Sequence, residues 1–565
     1  MVPGILTGFR APILAPVVFL VILAAVEMGV RKRANLVRAL RAVRSRLAGV
    51  NSGLYAPVLL LAFFLPAALA VLTKPTLQPD TDYWVHVAVI RALAEGQELE
   101  TVPLAEKHMV EIHRHRDPHH VLWARVMRRT GMSVSTTMAV AGVVNLAVFI
   151  CGVWFLARAL SSSWAMPVAL CTAMFFLVGQ GYYYSSAYHY AILPVVASYT
   201  STLGWGVSFF ALGLVLSWVQ RGGLWRLGAA SVLTALVINV HALTAVMFAL
   251  PFPVLWVWTS RTGRRQRLLS LAYPVVACVL SLAWPYNFVF HQAARVSTHT
   301  DLIQVGGIAS SVPLIYPDRV LLSLGPALAG LVFCFVAPRR WRRQITTCCV
   351  LYGAGWIGAT FLGLPLGHRL VFVFIFALQL AIATTFASRL RILGRRLREG
   401  HPMPVTPALA AICILLIPWG PYHLYRVWQS ATSRVSLIPP GLRPAWVSQY
   451  DRAMQEVRRD LPESARVMSD SSTACYLAAF GVPVIPDGGM FGGPGGVIDE
   501  EYVRTAAARA RELEASHLLI GSGALSDQGR SQIEKLGRIV RVEQDMWPGF
   551  VLVDLTAPGE AGGDG

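Results

Sequence analysis

Apolar stretches of about 17 to 22 residues recur through most of this sequence, each long enough to cross a bilayer as a helix. Inside lipid every backbone polar group must be satisfied within the chain, so such stretches fold as helices or not at all. Residues 11–30 lack a basic leader and an obvious cleavage site, and read as a retained anchor. Further spans are expected at about 54–73, 138–157, 165–180, 201–219, 227–242, 243–260, 268–285, 319–337, 344–363, 369–387 and 406–423. The expected architecture is a multi-span α-helical membrane protein of about 12 transmembrane helices. Residues 224–260 are barely long enough for two crossings.

The formal charge of +19 would suggest a nucleic-acid partner in a soluble protein. Here 55% of the residues are hydrophobic and the arginines sit in short tracts between apolar spans, so they record membrane orientation and no nucleic acid is expected. Arg31-Lys32-Arg33, Arg38, Arg41, Arg44 and Arg46 form a basic cytoplasmic linker, which closes a first region, 1–53. The turns bearing Arg221 and Arg226, Arg261 to Arg267, Arg339 to Arg343 and Arg389 to Arg398 then all fall on the cytoplasmic side. The opposing loops (74–137, 181–200, 286–318, the turn near His368 and everything after Tyr422) face outward and are mixed or aromatic. The expected location is a bacterial inner membrane. Seven of the eight cysteines lie in or beside apolar runs and no CxxC pair exists, so neither a disulfide framework nor a zinc site is indicated.

Residues 54–430 thus read as the membrane domain, and 431–556 as an extracytoplasmic α/β domain ahead of a disordered tail, 557–565. Strands are expected at 465–468, 517–520, 538–541 and 550–554, and helices at 499–515 and 528–536. The glycine-rich run 487–496 lacks the strand–GxGxxG–helix setting of a nucleotide fingerprint.

Loop 74–137 carries the chemistry. Pro79-Asp80-Thr81-Asp82-Tyr83-Trp84-Val85-His86 follows a span directly and brings two carboxylates, aromatics and a histidine to the membrane surface. That set suits a site that orders a metal or takes a proton from a sugar hydroxyl; equally, Asp80 could cap an interfacial helix with Asp82 merely solvated. The loop goes on to Glu106, His108, Glu111, His113, His115, Asp117, His119 and His120. Histidine with carboxylate suits zinc or manganese, and carboxylates alone suit magnesium or calcium, although the His-x-His-x3-His-His spacing matches no established metal signature. Arg114, Arg116 and His119 suit a phosphate just as well. At other outer span ends stand His189, Tyr190, Asn239, His241, His368 and Arg369. Arg369 either snorkels to the interface or, with His368, grips a lipid phosphate. His241 reads more readily as a packing residue.

Many spans, an acidic motif in the first large outer loop and a C-terminal extracytoplasmic α/β domain together resemble the GT-C superfamily of integral-membrane glycosyltransferases. Asp80-Thr81-Asp82-Tyr83-Trp84-Val85-His86 is similar to that family's first-loop motif, an acidic residue followed by an aromatic and a His or Asn. Asp117-Pro118-His119-His120-Val121-Leu122-Trp123 resembles its later His-Pro-Pro-Leu segment, with His in place of the second proline. The resemblance implies a polyprenyl-phosphate-linked sugar donor and a glycan, lipid or protein acceptor in the cell envelope. It makes Asp82 the base or a metal ligand and Asp80 its partner, with a divalent cation (Mg, Mn or Ca) on that pair. Tyr83, His86, His119, His120, His368 and Arg369 would bind substrate. A transporter or flippase of lipid-linked glycans is the rival, although no internal repeat or paired broken helices are visible. A surface-polysaccharide polymerase or ligase is the other alternative.

Overall fold

The computed structural model describes residues 55–73, 81–96, 117–163, 165–178, 188, 190, 193–285, 324–362, 369–398, 416, 419–425, 427, 456–462, 465–469, 484–486, 500–512, 514–521, 527–543 and 550–556. Hydrophobic length dictates most of its helices: α1 (Tyr55–Thr73), α4 (Val134–Leu160), α5 (Ala165–Phe176), α6 (Thr200–Arg221) and α7 (Leu224–Val240). His241 leaves the helical region at φ −152°, breaking the apolar run. The chain then resumes through a π-helical turn, Ala245–Ala249, into α8 (Pro251–Thr259). The crowded stretch 224–260 therefore holds two helices, with a break at His241 between them. There follow α9 (Arg264–Ser281), α10 (Ala329–Val336), α11 (Arg339–Phe361) and α12 (Leu370–Arg398). Between α1 and α4 lie two shorter, more polar helices, α2 (Thr81–Glu95) and α3 (Pro118–Thr130).

Among the described residues, four segments are long and apolar enough to cross a membrane: Thr136–Leu160, Thr200–Arg221, Ala242–Thr259 and Leu370–Ile392. Shorter apolar helices cover Leu61–Leu72, Ala165–Phe176, Leu224–Val240 and Gly325–Val336. The last of the four spans is the centre of the bundle, with 94% of its apolar window buried against 56% for the first. Phe376 on α12 stacks among Phe209, Phe248 and Phe252, an aromatic core that shape-matched rings stabilise beyond their area alone. Gln379, fully buried on α12, accepts from Tyr188 and donates to the Met174 and Leu177 carbonyls, tying α12 to the end of α5. Helices α4 and α6 meet backbone to backbone: a Cβ added to Gly206 would stand 2.8 Å from the main chain of Phe149. Small residues at such crossings are how helices associate where lipid removes the hydrophobic drive.

The arginine-bearing helix ends gather at one end of the bundle. Arg391 donates to Ser161 at 2.8 Å, Gln220 to the Ala159 carbonyl, Gln266 to the Val219 carbonyl, and Gln344 contacts Ser260. Those side chains belong to the turns carrying Arg158, Arg221, Arg261 and Arg339.

Near the C-terminus five strands form one mixed sheet in the order β2-β1-β3-β5-β4. They are β1 (Val467–Ser469), β2 (Val484–Pro486), β3 (His517–Gly521), β4 (Arg538–Glu543) and β5 (Phe550–Asp554). β1 pairs in parallel with β2 and β3, while β5 pairs antiparallel with β3 and β4. Helices α13 (Glu500–Glu512) and α14 (Asp527–Leu536) cover one face through Val503, Ala506, Ala510 and Ile533. Val467, Leu519 and Leu552 on the opposite face join the same buried cluster as Val427, Val457 and the bundle core. Strand β2 has no counterpart among the expected strands, because Val-Pro-Val-Ile-Pro offers only two residues between its prolines.

Candidate functional site

Helices α2 and α3 lie side by side and run in the same direction, in a constant register of 34 residues. His86 meets His120 near their N-termini, and Arg128 donates to the Ala94 carbonyl near their C-termini. A second nitrogen of Arg128 reaches the Leu93 carbonyl, so this one guanidinium satisfies two of the carbonyls that α2 leaves open at its end. The sequence fixes the start of α3 as firmly. Asp117 is its N-cap, with Oδ1 accepting from the backbone N–H of His120 at 2.9 Å, and Pro118 occupies the first helical turn, where no N–H is missed. Gly131, at φ 69°, ends the helix in the left-handed conformation that favours glycine.

This cap buries three titratable side chains: Asp117 is 5% exposed, His119 2% and His120 1%. Asp117 Oδ2 lies 2.8 Å from His120 Nδ1, and His120 Nε2 lies 2.8 Å from Nδ1 of the half-buried His86. A carboxylate only accepts, so Nδ1 of His120 carries a hydrogen. In the neutral ring Nε2 then accepts from Nδ1–H of His86. The result is a hydrogen-bonded line, Asp117–His120–His86, leading from a buried carboxylate out to α2. The His86 and His120 rings stack at 5.0 Å between centroids, and Tyr199, at the head of α6, stands 5.2 Å from the His86 ring.

His119 points the other way. Its Nε2 is 3.1 Å from Nδ2 of Asn145, an amide on α4 whose Nδ2 also donates to the Ala197 and Tyr199 carbonyls. Its Nδ1 is buried with no hydrogen-bond partner. Burial, with His120 beside it, pushes the His119 pKa down to about 4, so the ring is neutral at physiological pH.

One ligand atom each from Asp117, His119 and His120 lies within 4.8 Å of the others, a composition that suits a cation. The arrangement does not. Both nitrogens of His120 are engaged, Nε2 of His119 faces an amide N–H, and that contact leaves the hydrogen of the neutral ring on Nδ1. Among the described residues, then, the histidine set offers no ready lone pair to a metal.

Of the residues singled out from sequence, Asp82 and Tyr83 belong to α2, and only their backbones are described. Asp82 falls one helical turn before His86, on the same face. Asp80 and His368 lie outside the described residues, while Arg369 is half-buried immediately before α12. Among the loop's expected ligands, Glu106, His108, Glu111, His113, Arg114, His115 and Arg116 also lie outside them. His241 caps the turn after α7, its Nδ1 accepting from the backbone N–H of Thr244, which is a packing role. One contributor escaped sequence reasoning: Asn145, legible only as a lone amide inside an apolar span, where a polar residue needs a reason. Asp117, expected among the loop's titratable groups, acts as the cap of α3.

No protein-family model matches the sequence, and no curated protein is significantly similar to it. Solved structures are. The arabinofuranosyltransferase AftD from mycobacteria matches 88% of this chain at a TM-score of 0.51 and 15% identity. This chain spans 42% of AftD's length. ArnT from Cupriavidus metallidurans (TM-score 0.42, 14% identity, 89% of this chain and 98% of that one) is also matched. So is the Archaeoglobus fulgidus oligosaccharyltransferase, solved with zinc and sulfate (0.43, 13%, 88% and 74%). These are GT-C membrane glycosyltransferases, and the likeness to AftD gives this chain the GT-C fold.

Proposed function

We propose that this protein is a membrane glycosyltransferase that moves a sugar from a polyprenyl-phosphate donor to a cell-envelope acceptor at the extracytoplasmic face. The observation that carries the reading is the buried line Asp117–His120–His86, which braces α2 at the site of the acidic motif in a chain with the GT-C fold. Fold alone does not select an activity, so the side chains must.

In the reaction an acceptor oxygen attacks the anomeric carbon, the bond from that carbon to the donor phosphate oxygen breaks, and polyprenyl phosphate departs with the bonding electrons. The acceptor's proton must leave, and Asp82 takes it, with Asp80 as its partner. His86, braced from behind by His120 and Asp117, orients the acceptor beside Asp82, and Tyr83 packs against the sugar. His368 and Arg369, at the head of the central helix, stabilise the charge growing on the departing phosphate. Asp80 and Asp82 offer oxygen ligands, the kind that suit magnesium, manganese or calcium, and a divalent ion held there would supply further charge stabilisation. The polyprenyl tail lies against the apolar helices, since no polar pocket would accept it. The sheet domain, by the parity of the spans, lies on the same outer side as the acidic motif.

Reconstitution with a panel of polyprenyl-phosphate sugars tests the reading. Release of free polyprenyl phosphate is expected for at least one donor and is abolished by Asp82→Asn. Movement of intact lipid-linked glycan that survives Asp82→Asn, without release of lipid phosphate, would instead identify a transporter.

A further inference from the structure

The open hydrogen-bonding capacity at the start of α3 belongs to one atom, His119 Nδ1, buried and without a partner in an otherwise paired cluster. The kind of partner this atom takes follows from Asn145. Its amide orientation is fixed by two main-chain carbonyls, Ala197 at 3.0 Å and Tyr199 at 3.3 Å, so the atom facing His119 Nε2 is an amide nitrogen, which shares its hydrogens and cannot accept one. Nε2 must therefore carry the lone pair and Nδ1 the hydrogen. A buried donor without an acceptor is costly, and the partner it calls for is an oxygen.

Two kinds of oxygen ligand remain, an anion and a neutral hydroxyl. The Asp117 carboxylate decides between them. Each of its oxygens already accepts one hydrogen bond from His120 and keeps a second lone pair, so it repels a phosphate but accepts from a hydroxyl. A carboxylate oxygen of Asp117 and a ring nitrogen of His119 lie within 4.8 Å. A hydroxyl that accepts from His119 thus has the Asp117 carboxylate close by as an acceptor for its own hydrogen.

We infer that Asp117 and His119, with Asn145 as the positioning residue that sets the His119 tautomer, bind a hydroxyl of a neutral carbohydrate. The site takes neither a cation nor the donor phosphate. For its ligand this rests on the glycosyl-transfer reading. It also reassigns His119 from phosphate to sugar.

Binding to the purified full-length chain tests it, using neutral methyl pentosides and hexosides, inorganic phosphate and Zn²⁺ as probes. At least one methyl glycoside binds the wild type. His119→Phe weakens that binding about tenfold or more, as loss of a buried hydrogen bond should, whereas His119→Gln, which keeps an N–H donor, stays within about threefold. Should the Phe variant fail to fold, Asn145→Asp carries the test by gain of function. A carboxylate there accepts Nε2–H and moves the lone pair to Nδ1, so Zn²⁺ binds Asn145→Asp but not the wild type. The inference is overturned if no glycoside binds, or if His119→Phe leaves binding unchanged. It is equally overturned if the wild type binds Zn²⁺ or phosphate in a manner that His119→Phe abolishes. Lipid-phosphate release, measured separately, tells the failures apart: release without glycoside binding sinks this inference alone, and loss of both sinks the transferase reading.

Discussion

The two ends of the helical bundle treat charge in opposite ways. At one end Arg158, Arg221, Arg261, Arg264, Arg339 and Arg391 are exposed at or near the helix ends. At the other, Asp117, His119 and His120 are buried at the head of α3 and joined to His86 and Asn145. An exposed arginine costs the fold almost nothing and serves orientation through the positive-inside bias. A buried carboxylate and two buried imidazoles are expensive unless paired, and a chain that keeps them in place has a use for them there. On the proposed reading, exposed charge records which way the protein faces, and the buried polar cluster supports the site of transfer.

Substitution of Asp117 should break this contrast most severely. Asp117→Ala removes the cap of α3 and strands both the backbone N–H and the Nδ1–H of His120 in a buried site. The expected cost is about 3 kcal/mol, with loss of transfer as α2 loses its brace. Thermal unfolding and lipid-phosphate release measure the two effects.

Acid should discriminate between the ends next. The His119 pKa is depressed in the fold, so the unfolded chain binds the extra proton first as pH falls. Stability from this group is complete above the unfolded value of 6.5 and is lost as pH falls from there toward about 4. The loss is of order 2–3 kcal/mol for a group this deeply buried. Unfolding followed from pH 7 to pH 4 should show the decline, flattened in His119→Gln.

The smallest effect belongs to that arginine end. Arg391 is exposed and donates to Ser161, so Arg391→Ala should cost about 0.5 kcal/mol or less and leave transfer intact. A large loss there would erase the contrast.

How much of this was legible in sequence follows the same division. Hydrophobic length placed α1 at 54–73 against Tyr55–Thr73, and α6 at 201–219 against Thr200–Arg221, because a bilayer imposes a length that the chain must meet. The expected span at 369–387 fell short of α12, which continues to Arg398, since an amphipathic extension past the apolar run carries no hydropathy signal. At the site, the acidic motif, Asp117 and the histidines were visible as composition. That His120 joins Asp117 to His86 was not, because it depends on two helices lying parallel across 34 residues of sequence, a tertiary relation no local pattern encodes. The tautomer of His119 likewise depends on Asn145, which local sequence shows only as one polar residue in an apolar run.

The account stands or falls on α2 and the arginine turns facing opposite sides of the membrane, with the acidic motif outside. In a background without reactive native cysteines, Asp82→Cys and Arg391→Cys can each be exposed to a membrane-impermeant maleimide in intact cells. Labelling of Asp82→Cys in intact cells, and of Arg391→Cys only after permeabilisation, is the predicted result. The reverse pattern would put the acidic motif in the cytoplasm and contradict the account at its base.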